Sequence, residues 1–136
     1  MFFETAGLAP NGNIRMNSLF YAVKGCMQGV PEQVAPDEWE AAFVFDVSFA
    51  GFNGHFPGNP VVPGVAQIMA ATLTAAPDTD AHLRQIGRSK FLSMVAPGDI
   101  MRVRAKTVRE GDVLRVTADC TTQNGPCAHL KLVLGV

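Results

Sequence analysis

The residue types best suited to chemistry lie in one short stretch, which runs Gly-His-Phe-Pro-Gly-Asn-Pro-Val-Val-Pro-Gly-Val from Gly54 to Val65. Its three prolines lock backbone torsions, and its three glycines allow torsions that other residues avoid. Such a backbone can hold the imidazole of His55 at a set distance from the helix that follows. Because imidazole accepts protons near neutral pH, the stretch is a candidate catalytic loop.

The segment after this loop predicts a helix, which starts after Pro63-Gly64, runs towards Ala76 and ends before Pro77. Its larger apolar residues share one helical face, at Val65, Ile68, Met69 and Leu73. The first turn of a helix presents unpaired N–H groups, which stabilise negative charge. We therefore expect the Gly64 N–H to polarise a thioester carbonyl while His55 removes a proton from the adjacent carbon, as in an enolate-forming site.

Alternating apolar and polar residues predict an antiparallel sheet around this helix. One strand is expected from Trp39 to Phe49 and another around Gln85–Val95. Three later strands should form a meander with turns at 109–112 and 123–126, and their inward residues are Met101, Val103, Ala105, Leu114, Val116, Ala118, Cys120, Leu130, Leu132 and Leu134. The expected fold class is α+β, a curved antiparallel sheet wrapped around one central helix.

Length and composition predict a single globular domain over residues 1–136, with 48% hydrophobic and 17% charged residues. No basic region followed by an apolar run opens the chain, and no stretch is apolar enough to span a membrane, so a cytoplasmic protein without membrane partners is expected. The N-terminal region is the least patterned. There, Asn17–Met27 fits a short helix or a first strand, whereas Gly7–Gly12 and Gly29–Asp37 are predicted to be loops.

The other reactive side chains form no recognisable site. Cys26, Cys120 and Cys127 show no metal-ligand spacing and are expected to be free thiols, so neither a metal nor a disulfide is predicted. His82 and His129 lie outside any motif and are expected at the surface.

Charge is distributed unevenly along the chain. Residues 1–83 hold two basic and eight acidic side chains, whereas residues 84–136 hold nine basic and four acidic ones. The basic half could present a positive face to an acidic partner, or its charges could line a solvated strand face.

The stretch from Gly54 to Val65 resembles the GHFPGxPVxPGV signature of the 3-hydroxyacyl-[acyl carrier protein] dehydratases, with every fixed position matched. The segment from Lys90 to Asp99 is similar to the KFxxxVxPGD segment of the same family. The resemblance covers roughly residues 40–134. It implies a hotdog fold and the conversion of a 3-hydroxyacyl thioester to a trans-2-enoyl thioester in fatty-acid, lipid or polyketide synthesis, with no cofactor.

The resemblance also implies roles for individual residues. His55 matches the family's general base, and Gly64 matches the glycine whose N–H binds the thioester carbonyl. The acyl chain is expected to lie in a tunnel beside the central helix, contacted by Phe56, Pro63, Val65, Gln67, Met69 and Phe91.

The implied partners are an acyl carrier protein or a coenzyme A thioester, with no nucleic acid. The implied assembly is a homodimer with its two sites at the subunit interface, or a trimer of such dimers. Arg84, Arg88 and Lys90 could meet the acidic surface and phosphate of a carrier protein.

The sequence departs from the family where a Glu or Asp is expected five residues beyond the glycine, because Met69 stands there. The family's glutamine four residues further on is replaced by Leu73. A thioether cannot protonate a leaving hydroxyl, and Gln67 is an alternative group for positioning the hydroxyl or a water. Three functions therefore stay open: a dehydratase, a hotdog thioesterase, and a non-catalytic acyl-binding subunit whose paralogue supplies the acid.

Overall fold

The computed structural model describes residues 13–49, 52, 60–77 and 80–136, with side chains from Ser18 onwards. Within these ranges the chain forms two helices and seven strands: α1 Asn13–Gly25, β1 Met27–Ala35, β2 Glu38–Val44, α2 Gly64–Ala75, β3 His82–Ile86, β4 Lys90–Phe91, β5 Ile100–Glu110, β6 Val113–Thr122 and β7 Gly125–Gly135.

The strands form one antiparallel sheet in the order β1-β2-β5-β6-β7-β3, and β4 also pairs with β7. The predicted meander is confirmed, since β5, β6 and β7 pair in sequence. On β5, Met101, Val103 and Ala105 are buried while the basic residues between them are exposed. The two predicted turns contain Gly111 and Gly125, whose φ angles of 64° and 107° lie in the left-handed region that glycine tolerates.

The predicted central helix is confirmed as α2, which packs on the concave face of the sheet against β2 and β5. Ala66, Ala70 and Ala71 are fully buried, and their small side chains let the sheet approach the helix backbone closely. The helix ends where the Ala76 N–H bonds the Thr72 carbonyl, one residue before Pro77.

Two strand predictions are wrong in their bounds. The strand expected from Trp39 to Phe49 ends at Val44, because a turn follows in which the Phe49 N–H bonds the Asp46 carbonyl. Phe49 is still buried, but Val47 is 80% exposed. In place of the single strand expected around 85–95, the structure has two short strands, β3 and β4. Between them, the N–H of Gly87 donates to the Lys131 carbonyl of β7 at 2.7 Å.

The loop predicted for Gly29–Asp37 is also wrong, because β1 occupies most of it. β1 is an edge strand with an irregular register, and Gly29 has a φ of 78°. Edge strands tolerate such residues and carry little apolar alternation, so the sequence gives a weak signal there. Of the two alternatives for 17–27, the helix is the one observed. The predicted loop at 7–12 lies outside the described residues.

No helix in the described ranges is long and apolar enough to cross a membrane. The cysteines are free thiols, and burial raises the pKa of the Cys120 thiol far above its ordinary value. A thiol held neutral in this way packs the core and is a poor nucleophile. Among the described residues, no three His, Cys, Asp or Glu side chains converge to hold a metal ion.

Candidate active site

The start of α2 presents backbone donors. The carbonyl of Pro63 accepts hydrogen bonds from the N–H groups of Ala66 at 3.0 Å and Gln67 at 3.3 Å, which form the first turn. The N–H groups of Gly64 and Val65 come before these two, and the described residues offer them no acceptor. Both donors can therefore bind an oxygen that carries negative charge.

The two sequence motifs meet at this point. The N–H of Val62 donates to the carbonyl of Val95 at 2.8 Å, which ties the segment before α2 to the segment after β4. The ring of Phe91 covers the Cα of Gly64, and a Cβ added to Gly64 would lie 2.8 Å from the Phe91 Cζ atom. Glycine is therefore needed for the close approach of the Phe91 ring. Neither motif alone predicts this contact.

Phe91 is held there by β4. It pairs with Ala128 of β7, and the N–H of the next residue, Leu92, donates to the Cys127 carbonyl at 2.8 Å. The ring is 49% exposed, so one part covers Gly64 while the rest faces outwards. This places an aromatic side chain beside the free donor at the start of α2, and the substrate contact predicted for Phe91 stays a prediction.

One face of α2 carries the predicted contacts Val65 and Met69 together with Leu73, since residues four apart lie on the same side of a helix. Met69 and Leu73 are each 8% exposed, and Val65 is half-buried. The helix sequence, GVAQIMAATLTA, has no carboxylate. The side chains on this face are apolar, so it offers no proton donor.

Gln67 points away from that face, because residues two apart in a helix do not face each other. Its side chain is buried, and its Nε2 donates to the carbonyl of Val62 at 3.4 Å. Its Oε1 is buried and has no partner among the described residues. Gln67 therefore contacts the segment leading into α2, and its carbonyl is one hydrogen bond short.

Asp46 and Asp80 do not replace the missing acid. Asp46 is exposed, and hydrogen bonds from the Ser48 side chain and backbone hold its pKa below the ordinary value. A general acid at neutral pH needs the opposite shift. Asp80 is exposed beyond the end of α2, and Asp78 lies outside the described residues.

Among the remaining predicted site residues, Pro63 is described by the structure, whereas His55 and Phe56 are not. Pro63 is the N-cap of α2, with extended φ and ψ angles of −67° and 152°. His55 and Phe56 lie outside the described residues, so their predicted roles stay predictions. Of the surface histidines, His82 is exposed, whereas His129 bonds Asp119 with 2.6 Å between Nδ1 and Oδ1, a pair that the sequence did not suggest.

A cavity of about 320 Å³ lies at the other end of α2 and was not predicted. Its walls come from α1, the start of β1, the last turns of α2 and the segment after α2. Leu73 links it to the helix face described above. The only sequence feature that pointed to this cavity is Leu73, which stands where the family has a glutamine.

The sequence model of the ApeI-like family, described as ApeI dehydratase, matches residues 31–130. Among curated proteins, the 3-hydroxyacyl-[acyl-carrier-protein] dehydratase FabZ of Dinoroseobacter shibae is 36% identical over 69 residues, covering 43% of this chain and 42% of that protein. The FabZ of Ligilactobacillus salivarius is 44% identical over 61 residues, covering 38% and 44%. The matched part of the chain thus spans less than half the length of these relatives.

Solved structures show the same architecture. A chain of the dehydratase heterocomplex ApeI:P from Xenorhabdus doucetiae is 26% identical and superposes with a TM-score of 0.61, covering 81% of this chain and all of that one. The E. coli PaaI protein, at 13% identity and a TM-score of 0.64, covers 89% and 92% and shows the fold alone. The predicted hotdog fold is confirmed. With the family model matching well over half of its residues, the chain belongs to the ApeI-like dehydratase family.

Proposed function

We propose that the protein dehydrates a 3-hydroxyacyl thioester to a trans-2-enoyl thioester, or runs the reverse hydration. The observation that carries this proposal is the start of α2, where the Gly64 N–H has no acceptor among the described residues and lies beside the Phe91 ring. A donor at a helix N-terminus suits a carbonyl oxygen that gains negative charge during proton removal. Membership of a dehydratase family supports the same reaction.

In this proposal, His55 removes the proton from the carbon alpha to the carbonyl. The electron pair of that C–H bond forms an enolate, whose oxygen is stabilised by the Gly64 N–H. The enolate then re-forms the carbonyl, the alpha and beta carbons become doubly bonded, and the bond to the 3-hydroxyl breaks. The hydroxyl must gain a proton to leave as water, and because α2 offers no carboxylate, the proton that His55 has taken up is the one returned to it.

A second candidate is that the chain forms half of a composite site, in which a different, acid-bearing subunit supplies that proton. Met69 favours this reading, since a thioether has no proton to donate. The related structure from Xenorhabdus doucetiae is a dehydratase heterocomplex, which gives such pairing a precedent. Alone, the chain would then bind the thioester with little turnover. Hydrolysis, as in a thioesterase, is less well supported because the described α2 face has no carboxylate to activate water.

The edge of the sheet at β3 supports the predicted homodimer. Every residue of β3 is exposed, and among the described strands it pairs only with β7, so one edge has free backbone groups. Large apolar side chains are exposed on β3 and just after it, at Leu83, Ile86, Phe91, Leu92 and Met94. We propose that a second copy covers this edge, which would place the interface next to Gly64 through Phe91.

Basic side chains in and just after β3 support the predicted carrier-protein contact. Arg84, Arg88 and Lys90 are exposed, and Lys90 directly precedes Phe91. Arg84 has a neighbour of opposite charge, Asp112, at 3.3 Å. We propose that the second copy leaves Arg88 and Lys90 accessible and that these two side chains bind the phosphate or acidic surface of the carrier, a partner that fits the cytoplasmic location expected from the sequence.

The proposal is tested by following enoyl absorbance with a short 3-hydroxyacyl pantetheine thioester. We expect measurable turnover that falls about 10²–10⁴-fold in His55→Ala, the range for loss of one general base. The matched control is His129→Gln, which removes a histidine on the outer face of the sheet and should leave turnover unchanged. Thiol release without enoyl formation would indicate a thioesterase, and binding without turnover would indicate the composite site.

A further inference from the structure

We propose that Asp99 and Gln123 are positioning residues, which set the place of the Gly64 N–H through a series of hydrogen bonds that ends at the start of α2. This inference rests on the proposed function, because it takes Gly64 as the donor to the thioester carbonyl. Gln123 lies in the turn between β6 and β7, outside both sequence motifs. Part of the site geometry is then set by a residue that neither motif contains.

The series begins at the carboxylate of Asp99, which has a partner on each oxygen. Its Oδ1 accepts a hydrogen bond from Gln123 Nε2 at 2.7 Å, and its Oδ2 accepts one from the Ala96 N–H at 2.9 Å. The Asp99 N–H in turn donates to the Ala96 carbonyl at 3.1 Å, and the Gly98 N–H donates to the Phe45 carbonyl at 2.9 Å. The turn from Ala96 to Asp99 is thus closed from both ends and tied by one side chain to the β6–β7 turn.

The next link joins this turn to the segment before α2. Val95 directly precedes Ala96, and its carbonyl accepts the hydrogen bond from the Val62 N–H at 2.8 Å. Among the described residues, this is the one backbone hydrogen bond that ties residues 60–63 to anything other than α2. Val62 and Val95 are both buried, so the bond is shielded from water and correspondingly strong. A shift of Val95 therefore moves Val62.

Pro63 is the single residue between Val62 and Gly64. Its ring fixes φ, which is −67°, so the chain at this point has little freedom to absorb a shift. On the other side, the Pro63 carbonyl accepts the first hydrogen bonds of α2, from Ala66 and Gln67. A displacement of Val62 is therefore passed on to the Gly64 N–H.

The segment that carries Val95 is held at two ends. Before Val95, the Leu92 N–H donates to a carbonyl of β7 at 2.8 Å, and the Ser93 Oγ donates to the Pro126 carbonyl at 3.1 Å. After Val95, the carboxylate of Asp99 provides the side-chain anchor. Loss of this anchor leaves the start of the segment in place and frees the end that contacts α2.

The test is the carbonyl stretching frequency of bound S-butanoyl-pantetheine, labelled at its carbonyl and measured by infrared difference spectroscopy on the full chain. A hydrogen bond from the Gly64 N–H polarises the carbonyl and lowers this frequency on binding. We expect Asp99→Ala to lose most of that lowering, and Gln123→Ala, which keeps the Ala96 bond, to lose a smaller part. In Asp99→Ala, kcat and kcat/KM for enoyl formation should fall together, by about 10²-fold if the donor moves by about 1 Å.

A paired exchange separates positioning from a general loss of structure. Gln123→Glu sets two carboxylates against each other and should lose the frequency lowering. Asp99→Asn/Gln123→Glu restores a donor and an acceptor, because the Asn amide can donate to the Glu while its oxygen still accepts from Ala96. We expect this double variant to regain the wild-type frequency. The turn keeps the Gly98 backbone bond in all of these variants, so its fold does not depend on the exchange.

The matched control is Thr107→Val, which removes the bond from Thr107 Oγ1 to the Asp37 carbonyl near the other end of β5 and should leave the frequency unchanged. Full lowering in Asp99→Ala, or no recovery in the double variant, overturns the inference and leaves the proposed function standing. If the wild-type chain does not bind the probe, or binds it without any lowering, the Gly64 donor is wrong and both fail. Lowering that depends on Asp99 without enoyl formation removes the proposed reaction and supports the positioning role.

Discussion

At the residue scale, the least usual feature of this chain is that α2, the helix of the proposed active site, has no carboxylate. Met69 is 8% exposed on the α2 face that leads from Gly64. A carboxyl group placed there would be largely desolvated, which raises its pKa and keeps it protonated closer to neutral pH. The position thus suits a general acid, although its present occupant packs as an apolar residue.

We predict that Met69→Glu increases dehydration of a 3-hydroxyacyl thioester by about 10²–10⁴-fold, the usual contribution of one general acid. Met69→Gln is the matched control, because it has nearly the same shape and no acidic proton. The measurement is the initial rate of enoyl formation. Equal rates in the two variants would mean that the reaction does not depend on an acid at this position.

Gln67 offers a second prediction at this scale, because its Oε1 is buried without a partner among the described residues. Burying an unpaired acceptor costs about 1–3 kcal/mol, and the 3.4 Å bond from Nε2 to Val62 returns little of it. We predict that Gln67→Met raises the free energy of unfolding by about 1 kcal/mol, as measured by urea denaturation. The same change should weaken thioester binding if the amide positions the segment before Gly64. A loss of stability would show instead that the amide is well satisfied.

At the element scale, the central helix could be predicted from the sequence, whereas the edge strand β1 and the pairing of β4 could not. The central helix carries a continuous apolar pattern between a proline start and a proline stop, so its bounds were predictable. β1 has Gly29 and Pro31 on an exposed edge, and neither burial nor alternation marks it as a strand. The contact of Phe91 with Gly64 depends on how β4 pairs with β7, which local sequence does not encode.

That contact gives a prediction about how β4 and α2 are coupled. A Cβ at position 64 would lie 2.8 Å from Phe91, so Gly64→Ala must displace the ring. We predict that Gly64→Ala weakens thioester binding, and that in a Phe91→Ala background the same change has a smaller effect. The double-mutant cycle should show a coupling of about 0.5–3 kcal/mol, as expected for residues in contact. Additive effects would mean that the cost of the added Cβ does not arise from its contact with Phe91.

At the scale of the whole molecule, the proposed active site draws on both sequence motifs but has no acid. The sheet and α2 bring the two motifs together by hydrogen bonds within one chain. In a single copy, the apolar edge at β3 is uncovered and α2 supplies no acid. These two features have one explanation if the working unit pairs this chain, at the β3 edge, with a different chain that bears the acid.

A mixing experiment tests whether the site spans two chains. The wild-type chain carries His55 but no acid, whereas the double variant His55→Ala/Met69→Glu carries the acid but no base, so each alone should turn over slowly. If His55 of one copy works with position 69 of the other, refolding the two together should raise turnover about 10²-fold. Replacing the second chain by His55→Ala/Met69→Gln should abolish the gain. Light scattering checks that mixed dimers form, and mixed dimers with no gain, beside an active Met69→Glu homodimer, would place the whole site within one chain.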